Sequence, residues 1–114
     1  MPYRIASGTL TNALAYPANT DTTGAARRHV RLRDALNVPP QEQTVTPQIA
    51  ITGTFATATI TPQQSLDGGT TWVAIGSAIS GAGVTSLGLL SADALFRILM
   101  TGSGDMTGAV VTIG

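Results

Sequence analysis

The sequence has no cysteine, no lysine and few charged residues of any kind. The absence of cysteine excludes a disulfide framework and thiolate metal sites, and it leaves the cellular compartment open. Charged residues make up 11% of the 114 residues, and six arginines balance six acidic residues. Because the net charge is zero, it favours neither nucleic acid nor an anionic membrane nor acidic substrates as partners. A charge-poor surface lowers the solubility of a free monomer. Either other chains bury much of this surface, or its threonine hydroxyls keep it soluble.

Side chains that could perform catalysis or hold a metal are also scarce. His29 is the only histidine, so one protomer cannot build a metal site from several histidines. A Ser-His-Asp triad would have to use this imidazole, which is surrounded by arginines. The acidic residues stand singly, as is usual for residues that form turns and caps: Asp21, Asp34, Glu42, Asp67, Asp93 and Asp105. The glycine-rich segments lack the Lys-Ser/Thr of a phosphate loop. We therefore expect no catalytic residues, no metal, no cofactor and no enzymatic activity.

Aromatic residues are few, and long apolar runs are absent. Two tyrosines, two phenylalanines and one tryptophan are too few and too dispersed for a base-stacking platform, so we expect no nucleic acid partner. No stretch approaches the ~18 apolar residues of a membrane-spanning helix, and we expect no membrane partner. Residues 1–9 lack the apolar segment of a secretory signal. We expect the mature protein to begin close to Met1 and to be made in the cytoplasm.

Short β-type segments separated by glycine and proline fill the sequence after Pro39-Pro40. Thr52-Gly53 is predicted to be a turn, and Pro62 restricts its segment to a sheet edge or a bulge. The predicted strands cover residues 45–51, 54–60, 72–75, 84–90, 95–100 and 109–113. This pattern predicts an all-β fold, a small antiparallel β-sandwich of the jelly-roll-like or immunoglobulin-like type. We expect residues 44–114 to form this body, and residues 1–43 to form an irregular N-terminal arm with a short strand near residues 29–36.

Four of the six arginines cluster in one segment of the expected arm. If this segment is a strand, Val30 and Leu32 face one side while the arginines that follow each of them face the other. Such a row of arginines could bind carboxylates or phosphates of a partner. Alternatively, the segment is a half-buried strand with a solvated face. The candidate partner-binding residues are Arg27, Arg28, Arg31 and Arg33.

A tight hairpin turn with its own internal hydrogen bonds is predicted at residues 65–72. Asp-Gly between apolar runs is a strong hairpin signal, and the two glycines supply positive φ angles at little cost. The aspartate can accept backbone N–H bonds, and the hydroxyl side chains can bridge the strand ends. The tryptophan is predicted to anchor the return strand in the core. The residues that form this hairpin are Ser65, Asp67, Gly68, Gly69, Thr71 and Trp72.

This hairpin sequence is similar to the Asp-box of sialidase-like propellers, which has the form Ser/Thr-x-Asp-x-Gly-x-Thr-Trp/Phe. In those enzymes the Asp-box recurs once per blade and lies away from the catalytic groups. Here it occurs once, and the chain is too short for several four-stranded blades. The resemblance therefore implies a hairpin and no sialidase activity. A single exposed tryptophan could still stack on a sugar, and this interpretation of Trp72 is the alternative to a core anchor.

A second resemblance covers residues 54–113. Thr54-Phe55, the Asp67-to-Trp72 hairpin, Phe96-Arg97-Ile98 and the terminal segment at residues 109–113 resemble small β-sandwich structural proteins of tailed bacteriophages. This resemblance implies a virion protein made in the host cytoplasm. We expect a capsid decoration or cement protein on the capsid surface. Its partner would be the major capsid protein, and it would form a dimer or trimer present in many copies.

Two other functions remain open for a protein of this kind. One is a structural component of the tail or of the head–tail junction, because such modules occur there as well. The other is a carbohydrate-binding β-sandwich module on a host-recognition fibre. Residues 1–43 match no known pattern, and we expect this segment to determine the attachment site.

Overall fold

The structure is a computed structural model that describes residues 3–17, 19–20, 26–27, 29–55, 57–102 and 104–114, with backbone only at 19–20 and 26–27. Strands dominate the described chain, and a single turn of α-helix accompanies them. In chain order the elements are β1 Tyr3–Leu10, β2 Ala15–Tyr16, β3 Asn19–Thr20, β4 Ala26–Arg27, β5 Val30–Arg31, α1 Leu32–Ala35, β6 Thr44–Val45, β7 Gln48–Thr54, β8 Ala58–Ser65, β9 Val73–Ala74, β10 Gly83–Ser86, β11 Leu90–Ser91, β12 Leu95–Gly102 and β13 Met106–Ile113.

Two antiparallel sheets form the body of the protein. The first sheet has the strand order β1-β13-β7-β10. The second has the order β2-β12-β8-β9, and β5 pairs with β12 further along the same side as β2. The short pairs β6–β11 and β3–β4 are separate from these two sheets. The prediction of an all-β antiparallel sandwich is confirmed.

The core lies between the two sheets and follows the two-residue period of the strands. Phe96, Ile98 and Met100 alternate along β12 and are fully buried. Ile51 and Val111 of the first sheet belong to the same cluster of buried side chains. Side chains at the intervening positions of β12, including Arg97, therefore point away from the core, on what we call the outer face of the second sheet.

The division at residue 43 is wrong for the first strand, because β1 is part of the first sheet. It pairs with β13 from Tyr3 to Leu10, and its Ile5 and Leu10 are buried in the common core. Two register irregularities interrupt the pairing, one between Arg4 and Ala6 and one between Gly8 and Leu10. These irregularities break the apolar alternation along β1. That is why the sequence pattern did not indicate a strand here.

The segment predicted as a strand near residues 29–36 is a two-residue strand followed by a helical turn. β5 ends at Arg31, and α1 begins at Leu32, which is fully buried. The amide of Leu36 donates to the carbonyl of Leu32 and closes this turn at 2.9 Å. As a result, Arg31 and Arg33 do not continue along one strand face as the strand interpretation required.

The strand boundaries around Gly53 and Pro62 differ from the prediction for physical reasons. Gly53 lies inside β7, with a φ of 124°, and a Cβ placed on it would lie 2.8 Å from the Cα of Ala109. This glycine allows a close approach of two backbones, and it does not form a turn. Pro62 lies inside β8, with its carbonyl accepting from the amide of Ile75. In an antiparallel ladder the nitrogen and the carbonyl of one residue point to the same neighbouring strand, so the Pro62 nitrogen faces the β9 side. The short β9 leaves the pairing on that side incomplete, and a residue without an N–H is tolerated there.

Candidate functional site

The hairpin turn between β8 and β9 is held by hydrogen bonds around Asp67. The hydroxyl of Ser65, which is 2% exposed, donates to Asp67 Oδ1 at 2.8 Å. The amide of Thr71 donates to the same oxygen at 2.8 Å, and the amide of Gly69 donates to Ser65 Oγ at 2.9 Å. The bond from the Thr71 amide, followed by those from the Ser65 and Thr71 side chains, lowers the pKa of Asp67 to about 2.

The two glycines let the turn fold back onto the second sheet. Gly68 and Gly69 have φ angles of 78° and 97°, which other residues rarely adopt. A Cβ placed on Gly69 would lie 3.7 Å from Leu95 Cδ1 and 3.9 Å from both His29 Nε2 and Trp72 Cζ2. The turn therefore covers the outer face of the second sheet at Leu95, and these side chains meet beneath it.

Trp72 lies on this outer face and is not a core residue, which corrects the prediction of a core anchor. It is half-buried and lies outside the cluster of core side chains. Its Nε1 donates to the carbonyl of Gly69 at 3.1 Å. Cζ of Arg97 lies 4.3 Å from the centre of the indole ring, a distance typical of a cation–π contact. The ring of His29 is 6.0 Å away with a tilt of 37°.

Arg97 was not among the candidate binding residues that the sequence indicated. It is half-buried, and its Nε donates to Oε1 of Gln63, its cross-strand neighbour on β8, at 2.7 Å. Burial lowers the pKa of Arg97 from its ordinary value. Within the described part of the chain, no carboxylate lies within ion-pair distance of it. Its position as a lone charge in an apolar strand is a signal that predicts an outward orientation, but its contact with Trp72 depends on the fold.

The arginine cluster does not form a single binding row. Nε of Arg33 donates to Asp93 Oδ1 at 3.0 Å, and its two terminal nitrogens donate to the carbonyls of Pro39 and Glu42 at 2.6 and 2.9 Å. The bond to Asp93 raises the pKa of Arg33 and lowers that of Asp93. Arg33 is thus fully used in fastening the chain after α1, which corrects its assignment as a partner-binding residue.

The other three arginines of the cluster are placed differently. Arg31 is exposed and lies opposite Leu95 on the neighbouring strand β12. Because Leu95 and Arg97 are two residues apart on β12, Arg31 shares the outer face with Arg97. Arg28 and the side chain of Arg27 lie outside the described residues. The structure therefore brings one arginine of the cluster, Arg31, to the face that carries Trp72.

A second notable feature is the pair of short edge strands β9 and β10, one in each sheet. Each is the last strand in the order of its sheet, and residues 68–92, which contain both, include no charged residue. Val73, Val84 and Leu89 in this segment are 57%, 66% and 69% exposed. Natural proteins usually protect a free strand edge with charge, proline or a bulge. We call residues 68–92 the uncharged edge segment.

The described residues offer little else that could support chemistry. No group of three histidine, cysteine or acidic side chains among them could hold a metal ion. No helix within the described ranges is both long and apolar enough to cross a membrane. An open groove of about 330 Å³ lies beside the hairpin turn, with Leu66 and Val73 among its lining residues. Residues of both the hairpin turn and β9 line this groove.

Comparison with protein-family models, curated proteins and solved structures finds no match to this chain.

Proposed function

We propose that the protein is a structural component of a tailed-bacteriophage virion, and specifically a decoration or cement protein that binds the outside of the capsid shell. The observation that carries this proposal is the uncharged edge segment. Two edge strands with exposed valines and no charge would promote association of free monomers. Such a surface suits a protein that works while buried against other chains, and the resemblance of residues 54–113 to phage proteins suggests which chains these are.

The proposed partners are the major capsid protein and further copies of this chain, as a dimer or trimer. Free backbone donors and acceptors along β9 and β10 can pair with an extended segment of a neighbouring subunit. Many copies on one particle would add avidity to a contact that is weak on its own. The role requires a rigid body and complementary surfaces, and it requires no catalytic group.

The two alternative functions differ in how well the site supports them. A tail or head–tail junction component would use the same edge segment, so only its location on the particle separates it from a decoration protein. A carbohydrate-binding module would need an open aromatic face for the sugar. Arg97 already covers one face of the indole ring of Trp72, which leaves less of the ring for stacking and disfavours this alternative.

The location is tested by cryo-electron microscopy of the native particle. We expect density for this chain at regular positions on the icosahedral shell. Density confined to the tail or neck would replace the proposal with the junction alternative. Trp72-dependent binding on a glycan array, with no density on the particle, would replace it with the carbohydrate alternative.

The edge segment is tested by Val84→Lys, which places a charge on β10. Val84 is 66% exposed, so the monomer should fold normally. We expect this variant to bind shells lacking the protein at least about tenfold more weakly, because a buried lysine without a partner is costly. Val110→Lys makes the same change on β13, a central strand of the first sheet, and is the matched control. Equal decoration by the two variants would show that β10 is not the contact.

A further inference from the structure

The guanidinium of Arg97 is held in one orientation by two contacts. Trp72 stacks on it at 4.3 Å, and Gln63 accepts from its Nε at 2.7 Å. Trp72 is itself fixed by the bond from its Nε1 to the carbonyl of Gly69 in the hairpin turn. A planar group fixed on two sides loses little conformational entropy when it binds a ligand. Arg97 is therefore preorganised.

Its terminal nitrogens remain unused, in contrast to those of Arg33. Both Nη1 and Nη2 of Arg33 donate to backbone carbonyls, while its Nε pairs with Asp93. Neither Nη of Arg97 makes a hydrogen bond with the described residues, and neither is buried without a partner. The pair of donors that recognises a planar oxyanion is thus open to solvent at Arg97.

The surroundings of Arg97 are positive and apolar. Arg31 lies on the same face, one strand away, and Leu95 is buried beside it under the turn. The nearby acidic groups are engaged elsewhere, since Asp67 accepts bonds within its own turn and Asp93 pairs with Arg33. The charge of Arg97 is therefore partly desolvated and is not neutralised by the described chain.

We propose that Arg97, supported by Trp72 and Gln63, is a binding point for a carboxylate of an acidic side chain on a partner protein. The carboxylate accepts from Nη1 and Nη2 in the bidentate arrangement that suits two planar groups. One fixed guanidinium next to an aromatic ring matches a single carboxylate better than a phosphate, which usually gathers several cations. That the carboxylate belongs to a capsid subunit rests on the proposed function, whereas the chemistry of the site does not.

The test uses Trp72, the only tryptophan in the chain, as a fluorescence reporter, with calorimetry as a second readout. The probe is a capped peptide of alternating glutamate and glycine, and its glutamine counterpart is the neutral control. We expect the glutamate peptide to change Trp72 emission saturably, and the glutamine peptide to leave it unchanged. An equal response to both peptides, or no response to either, overturns the proposal. So does full displacement of the glutamate peptide by an equal concentration of inorganic phosphate.

Three variants assign the binding to the guanidinium fork. Arg97→Gln should weaken binding at least about tenfold, and Arg97→Lys, which keeps the charge but loses the fork, should lose most of the same affinity. Arg4→Gln removes one charge from the exposed outer side of the first sheet and should bind like the wild type. If Arg97→Gln and Arg4→Gln bind equally, or if Arg97→Lys binds like the wild type, the bidentate site is excluded. Circular dichroism checks that each variant is folded.

The peptide experiment and the particle experiment fail separately. A protein that binds the glutamate peptide through Arg97 but does not decorate shells retains the carboxylate site and loses the proposed function. A protein that decorates shells equally well with and without Arg97, and ignores the peptide, loses the carboxylate site and retains the function.

Discussion

Arg33 and Arg97 carry the same group in different surroundings, and this difference determines what each can do. Arg33 makes three hydrogen bonds within the chain and holds residues 39–42 against α1. Arg97 spends one donor on Gln63 and presents its remaining donors to solvent. A count of arginines along the sequence favours the residue 27–33 cluster, whereas hydrogen bonding and stacking favour Arg97. What an arginine side chain can bind therefore depends on the hydrogen-bond donors that the fold leaves free.

The lowered pKa of Asp67 predicts that the folding stability of this protein depends on pH in the acidic range. Its folded-state pKa of about 2 is below the ~3.9 of an unfolded aspartate. A lowered pKa stabilises the folded state fully above about pH 4, and this contribution is lost as the pH falls through about 2. We expect Asp67→Asn to be less stable than the wild type at pH 7, with the difference shrinking between pH 4 and pH 2.

Urea unfolding at a series of pH values measures this difference. Asp34→Asn, on the exposed side of α1, removes the same charge and controls for net charge. If the wild type and Asp67→Asn keep a constant difference from pH 7 to pH 2, the turn hydrogen bonds do not stabilise the fold through the carboxylate.

At the scale of the elements, two glycines allow close backbone contacts that the observed arrangement of strands requires. Gly53 of β7 approaches Ala109 of β13, and Gly102 at the end of β12 approaches the backbone of Thr57. Neither position has room for a side chain. The glycines are thus contact points between strands, although a glycine between two apolar runs reads as a turn in the sequence.

We expect Gly53→Ala to lower the free energy of unfolding by about 1–3 kcal/mol, because it adds a positive φ for alanine and a clash with Ala109. Gly83→Ala is the matched control, since Gly83 also has a positive φ, 145°, but has open space around it. Chemical denaturation of both variants separates the two effects. Equal destabilisation would mean that the φ angle alone matters and that the contact with Ala109 is unimportant.

The fold class and the residues that form the hairpin turn could be predicted from the sequence, because both depend on local signals. Short apolar runs locate β12 and β13, although both strands are longer than predicted, and the Ser65, Asp67 and Gly69 pattern is local to its turn. Residues such as Leu10 and Trp72 were misplaced because their positions depend on distant partners. Bulges hide the alternation of β1, and the location of Trp72 depends on Arg97, which is far away along the chain.

At the scale of the molecule, the first and last strands, β1 and β13, are neighbours in the first sheet. β1 is paired along its length with β13, so both ends of the chain belong to the same body. An attachment arm that could be removed without loss of folding cannot include residues 3–10. Residues 3–10 therefore belong to the folded body and not to an arm.

Leu10 tests whether β1 contributes to the stability of the folded body, since it is fully buried and belongs to β1. We expect Leu10→Ala to lower the free energy of unfolding by about 2–5 kcal/mol, as is usual for a leucine removed from a core. Thr9→Ala, at the exposed neighbouring position, should change it by less than about 0.5 kcal/mol. Thermal and urea unfolding of both variants measure this. A small effect of Leu10→Ala would return β1 to the status of a dispensable arm.

The complete lack of charge over residues 68–92 has a consequence for how assembly responds to ionic strength. The proposed contacts of the backbone and the valines along β9 and β10 contain no ions to screen, so we expect them to persist or strengthen as the salt concentration rises. A contact through Arg97 is screened and weakens under the same conditions. We therefore expect the two proposed contacts to respond oppositely to salt: the one along the uncharged edge segment persists at high ionic strength, and the one through Arg97 is strongest at low ionic strength.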